Sequence, residues 1–209
     1  MIDSKCKICR RLGIKLFLKG DRCLSPKCSM VKKPYAPGQR KKRRRRSPSE
    51  YAIQLAEKQK LKVWYNLAER QFKNYVKKVL EKRAKIKDAP TELIKILESR
   101  LDNVVFRLGF AKSRTQARQL VSHGLFLING KFVDVPSLLV KKGDIISVRP
   151  QKADKTIFKN IKSQLKKYKA PSWLELNPEK LGGKVIGDPS LEEAAPPVEI
   201  STIFEYYSR

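Results

Sequence analysis

The sequence predicts an α+β protein, on three observations. Apolar residues recur at helical spacing from Pro48 to Leu108. A short capped helix followed by an Asn-Gly hairpin signal then marks a change to mixed structure. All four cysteines fall between Cys6 and Cys28, ahead of any of this. The expected order is a metal-bound N-terminal segment, an all-helical lobe, and an inserted module of helices with a small antiparallel sheet. At 209 residues the chain is long enough for one large domain or two modest ones.

The elements follow from local chemistry. Ser47 reads as an N-cap, with Pro48 at the first helical position and Glu50 closing a capping box, which predicts a helix from Pro48 to Val63. A second helix is expected from Glu69 to Lys87, where Phe72, Tyr75, Val76, Val79, Leu80 and Arg83 share a face. Pro90-Thr91 restarts the chain, and Ile94, Leu97, Leu101, Val104, Val105 and Leu108 form one apolar stripe ending at Gly109, a C′ residue. Ser113 caps a short helix with Gln116 at its third position and Ala117, Leu120 and Val121 inward, up to Gly124. Asn129-Gly130 then joins Leu125–Ile128 to Lys131–Val133 as a hairpin, and Gly143-Asp144 turns into Ile145–Val148. A basic helix over Lys155–Lys169 and Pro-rich irregular chain complete the expectation. Trp64, Tyr65, Phe72 and Tyr75 lie at helical spacing, which assigns them to packing; Tyr35, in an extended Pro/Gly-rich stretch, is the better stacking candidate.

Charge narrows the partners. Forty-eight Lys and Arg against 20 Asp and Glu leave a formal net charge of +28. Half of the excess, +14, lies in residues 1–50, where Arg40 to Arg46 is an unbroken basic run, whereas residues 181–209 carry −3. A body this basic repels itself unless a polyanion neutralises it, so nucleic acid is the first expectation and an anionic membrane the second. No apolar run is long enough to cross a bilayer. Cys6 follows the N-terminus so closely that no targeting peptide is expected, and the chain reads as a soluble intracellular protein.

The cysteines follow the pattern C-x2-C-x13-C-x4-C. Two close pairs of thiolates suit one tetrahedral ion with no open position, so a single structural Zn2+ is favoured, and an iron–sulfur cluster stays open. Disulfides are disfavoured in a chain with no secretion signal. Outside the cysteines, residues 1–46 offer Ile14, Leu16, Phe17 and Leu18 as a core, at about 1.5–3 kcal/mol each. Structural zinc in finger peptides contributes roughly 10–16 kcal/mol of apparent binding energy, so the metal would fold this segment. Little supports catalysis. His123 is the sole histidine, and Gly182-Gly183-Lys184 lacks the spacing of a phosphate loop.

On the short helix Arg114 and Arg118 are four residues apart on one face, preceded by Lys112, which offers planar guanidinium groups to phosphate. The surrounding stretch from Ser99 to Val148 resembles the S-four type of RNA-binding module. The chain as a whole resembles the bacterial-type family of small-subunit ribosomal protein number four, in its zinc-binding four-cysteine form. The resemblance rests on the cysteine pattern, on Lys33-Pro34-Tyr35-Ala36-Pro37-Gly38-Gln39, on Glu57-Lys58-Gln59-Lys60-Leu61 and Glu69-Arg70-Gln71-Phe72, on Glu98 to Gly109, and on the ending Glu205-Tyr206-Tyr207-Ser208-Arg209. Two places depart from the family pattern: the arm before Cys6 is shorter, and Arg40-Lys41 stands where His-Gly is usual.

The resemblance implies three regions: 1–46 as metal-binding segment and arm, 47–95 as helical lobe with 181–209 packed back on it, and 96–180 as the module. It implies a non-enzymatic constituent of the small ribosomal subunit in the cytoplasm, a monomer there. Such a protein binds ribosomal RNA early at a multi-helix junction, nucleates assembly of the subunit body, touches small-subunit protein number five where decoding accuracy is set, and lies near messenger RNA where it enters. The candidate RNA contacts are Lys32, Lys33, Tyr35, Arg40, Arg43, Arg44, Arg45 and Arg46 in the arm and Lys58, Lys60 and Arg70 in the helical lobe. In the module they are Arg100, Arg107, Lys112, Ser113, Arg114, Arg118, Gln119, His123 and Lys131. Replacing Arg114 and Arg118 together with Ala is expected to weaken RNA binding and leave the fold intact. A pseudouridine synthase carrying such a module is the main rival, but only fifty-nine residues follow position 150, too few for a catalytic domain. A quality-control factor or a zinc-dependent DNA regulator is the third reading.

Overall fold

The computed structural model describes residues 4–38, 47–82, 88–152, 158 and 161–208. The chain forms two compact units, Met1–Ala84 with Pro196–Arg209, and Lys85–Ala195. Mixed helix with a small antiparallel sheet makes it α+β. Among the described residues no helix is long and apolar enough to cross a membrane.

The first unit opens with three short helices, α1 (Lys5–Leu12), α2 (Asp21–Leu24) and α3 (Ser29–Lys32); Cys9 on α1, with Leu16 and Leu18 from the connection that follows it, packs against Val63 and Trp64. The helical lobe consists of α4 (Glu50–Trp64) and α5 (Glu69–Glu81). Ser49, not Ser47, is the N-cap of α4, accepting a hydrogen bond from the Ala52 amide at 3.3 Å, so the helix starts two residues later than predicted. On α5, Phe72, Val76 and Val79 are fully covered, as their spacing predicts. The part of the predicted second helix at 83–87 lies outside the described residues.

The second unit begins with α6 (Ala89–Glu98) and α7 (Leu101–Arg107). The single apolar stripe read from Ile94 to Leu108 is therefore two helices. Arg100 breaks it with extended backbone (φ −68°, ψ 138°), and the amides of Leu101 and Asp102 donate to the carbonyls of Leu138 and Pro136 instead of continuing the helix. Next come α8 (Arg114–Ser122), β1 (Phe126–Ile128), β2 (Lys131–Val133) and β3 (Ile145–Val148), close to expectation; Asn129 and Gly130 both adopt positive φ in the hairpin turn. A short α9 (Ile161–Leu165) stands where a longer basic helix was expected, part of which lies outside the described residues.

The irregular chain expected after Lys169 is instead ordered. Two strands, β4 (Leu174–Asn177) and β5 (Gly182–Val185), complete an antiparallel sheet in the order β2-β1-β3-β5-β4, followed by α10 (Leu191–Ala194) against α6. Residues 181–195 thus belong to the module, and only the chain from Pro196, with α11 (Ser201–Ser208), returns to the helical lobe. Gly183 has a packing reason: a Cβ there would lie 2.5 Å from Leu108 and 2.9 Å from the Glu175 carbonyl. The core beneath the sheet joins α7 and α8 through Leu101, Val104, Val105, Leu108, Ala117, Leu120 and Val121 to Phe110, Phe126, Ile146, Phe158 and Trp173.

Candidate nucleic-acid interface

The N-terminal segment gathers its thiols without bonding them. Cys6, Cys9, Cys23 and Cys28 all line one small cavity with Lys5, Lys15, Lys19 and Met30, and none is in a disulfide. The Lys19 amide donates to Cys23 Sγ at 3.4 Å. Burial pushes the Cys9 thiol up, a backbone hydrogen bond at Leu16 pulls it back, and the other three cysteines add to the rise. The donor set is that of a tetrahedral thiolate site in kind and number. Among the described residues, however, no three such groups stand close enough to hold an ion, so the zinc-bound segment of the sequence expectation is not formed as a closed site here. Nearby, Lys32 and Lys33 are exposed, and Tyr35 carries the Arg10 guanidinium 5.0 Å over its ring while its carbonyl accepts from Arg10 Nε at 2.9 Å. Arg40, Arg43, Arg44, Arg45 and Arg46 lie outside the described residues.

In the helical lobe the tail occupies one predicted cation. Lys58 is 4% exposed; its ammonium donates to Glu69 at 2.6 Å and sits 4.6 Å and 5.8 Å from the ring centres of Tyr206 and Tyr207. A lysine so enclosed holds the C-terminal helix against α4 and does not present its charge to solvent. Burial pulls the Glu69 carboxyl up, but hydrogen bonds from Lys58 and Lys62 outweigh it and hold the group at about 2. Lys60 is half-buried on Glu57 at 2.5 Å, and Arg70 is exposed.

The module carries a denser network, built around two buried acids. Glu98, 1% exposed at the end of α6, accepts from both Arg107 nitrogens at 2.8 and 2.9 Å and from Asn103 at 2.5 Å. Asn103 in turn accepts from Arg114 Nε at 2.7 Å, and the Arg114 guanidinium lies 4.7 Å over the Phe106 ring. Asp102 receives Arg100 at 2.6 and 3.1 Å, with Arg118 4.0 Å away. Buried charges require such pairing, and bidentate guanidinium–carboxylate geometry is its strongest form.

This corrects the reading of the helix face. Arg100, 1% exposed, and Arg114, whose side chain is 10% exposed, are committed inward; they order α6, α7 and α8 and do not project from them. Arg118, with 38% of its side chain exposed, reaches outward from the same helix. Ser113 is buried as the N-cap of α8, accepting from the Gln116 amide at 3.3 Å, so its hydroxyl is a structural group. Lys112, Gln119, His123 and Lys131 are exposed, and Arg107 is half-buried. The module therefore offers Lys112, Arg118, Gln119 and His123 along α8 and Lys131 on the hairpin. Two cations that sequence reasoning passed over join it: Arg149, 5.6 Å from the ring centre of the exposed Phe132, and Lys184 on β5. No local spacing marks either one, since the sheet places them.

Comparison with known proteins places this arrangement. Residues 1–98 match the family described as the Ribosomal protein S4/S9 N-terminal domain, and residues 99–146 match the S4 domain. A protein of Solidesulfovibrio magneticus named Small ribosomal subunit protein uS4 is 48% identical over 209 residues, covering 99% of this chain and 98% of its own length. The chain belongs to the bacterial-type uS4 family. The uS4 protein of Thermus thermophilus is 46% identical over 208 residues, covering 100% of this chain and 98% of its own, and that of Caldicellulosiruptor bescii is 48% identical over 209 residues with the same coverage. uS4 members are ribosomal proteins and not enzymes, which removes the pseudouridine-synthase reading.

Proposed function

We propose that this chain is a structural constituent of the small ribosomal subunit that binds its ribosomal RNA at a multi-helix junction. The observation that carries the reading is the division of charge in the module: Glu98 and Asp102 hold Arg100, Arg107 and Arg114, while Arg118 reaches outward beside the exposed Lys112, His123 and Lys131. RNA duplexes expose phosphates and 2′-hydroxyls more readily than base edges, so a cationic surface of fixed shape suits them. With the basic first unit tied to the module in one chain, RNA helices that repel one another are bridged.

The finer parts of the reading follow the family resemblance. Cys6, Cys9, Cys23 and Cys28 hold one zinc ion, which supplies a cross-link and no chemistry; the shared cavity and the four free thiols support this. The protein nucleates assembly of the subunit body, contacts small-subunit protein number five, and lies near incoming messenger RNA. The test is reconstitution: the purified chain, mixed with small-subunit ribosomal RNA and the other subunit proteins, is expected to co-sediment in the subunit with about one zinc per chain. Omitting it should stall assembly early. Unhindered assembly without it overturns the nucleating role; iron and sulfide in place of zinc overturn the metal assignment.

A further inference from the structure

Most exposed aromatic rings of this protein already have a partner. Tyr51 lies against Tyr206 with ring centres 5.6 Å apart, Lys15 sits 5.2 Å over Phe17, and Arg149 covers Phe132. Tyr168 differs. It follows α9 and is 42% exposed, and among the described residues no ring or cation is stacked on it and its hydroxyl has no hydrogen-bond partner.

One side of that ring is nonetheless fixed. It rests on the backbone of Gly109, which has φ +81°; a Cβ built there would stand 2.9 Å from Cδ1 and 3.1 Å from Cε1 and Cγ of Tyr168. Glycine at this turn thus serves two ends at once, the left-handed conformation and the close seat for a ring. The surroundings are cationic. Lys166, Lys167 and Lys169 flank Tyr168 and are exposed. Burial raises the phenol, against the opposing pull of the Arg107 and Arg114 charges. An aromatic ring backed by a glycine, exposed to solvent and flanked by cations is the arrangement that holds an unpaired base with its phosphate.

We propose that Tyr168 is a stacking platform for an unpaired base of the bound RNA, seated on Gly109 and flanked by Lys167 and Lys169. The proposal rests on the RNA-binding reading above and adds a contact that reads single-stranded RNA, where the α8 surface suits phosphates.

The probe is full-length small-subunit ribosomal RNA transcribed in vitro. Tyr168→Leu is expected to bind it roughly tenfold more weakly, and Tyr168→Phe, which keeps the ring, close to the unaltered chain. Nitration of the unaltered chain by tetranitromethane needs no variant: Tyr168 should react in the free protein and be protected in the complex. Unaltered binding by Tyr168→Leu, or equal nitration of Tyr168 with and without RNA, overturns the platform while the RNA-binding reading stands. Failure of the unaltered chain to bind the transcript overturns both.

Discussion

Arg100 and Arg118 show how two arginines eighteen positions apart divide the work of one charge cluster. Both approach Asp102, yet one is buried with it and the other keeps more than a third of its side chain in solvent. Removing one partner of a buried pair leaves the other charge uncompensated, at a cost of about 3–5 kcal/mol. Asp102→Ala is therefore expected to destabilise the module by that amount. Trp173 lies in the module and Trp64 in the other unit, so denaturant unfolding of a Trp64→Phe background follows the module through Trp173 alone. Arg118→Ala should shift that unfolding by less than about 0.5 kcal/mol and still weaken RNA binding several-fold. A variant that lost stability with Arg118 and not with Asp102 would reverse the assignment. The double replacement of Arg114 and Arg118 separates nothing, because Arg114 is tied to Asn103 and Glu98.

The docking of α11 on α4 is tied to ionisation of Glu69. Its carboxyl is held at about 2 against an ordinary 4.5, so its contribution is complete above pH 4.5 and disappears as pH falls through 2. Solvent moderates the effect, since 48% of the side chain is exposed. Thermal unfolding across this range should show a steeper loss for the unaltered chain than for Glu69→Gln; parallel curves would mean the tail is held by its tyrosines alone. Burial, reinforced by the Glu69 carboxylate, pushes the Tyr207 phenol up, so base does not loosen the tail at moderate pH.

The same elements show what periodicity reveals and what it hides. The buried faces of α5 and α8 and the Asn-Gly hairpin follow from local spacing and turn chemistry. The break at Arg100 does not, because the apolar stripe runs through it unchanged and its cause is a loop about forty residues later that accepts the freed amides. Strand β5 begins Gly-Gly, a pair that reads as loop until the Ile146 carbonyl is seen to crowd Gly182, and Leu108 and Glu175 to crowd Gly183. Arg114 faces outward on a helical wheel, and its partners come from α6 and α7. In each case the missing information sits on another element. The cysteine spacing, by contrast, anticipates that the four thiols meet, and all four line one small cavity.

Both units belong to a strongly cationic chain in which Glu98 and Asp102 of the module and Glu69 and Glu57 of the helical lobe are spent on ion pairs. What remains for a partner is positive charge, and its neutralisation releases counterions from RNA. Equilibrium binding of the full chain to small-subunit ribosomal RNA, titrated with salt, measures this directly. If about six to ten phosphates are contacted, affinity should fall roughly 10³- to 10⁵-fold between about 50 and 200 mM salt, linearly on logarithmic axes. Weak binding at low salt, or tight binding indifferent to salt, would contradict it.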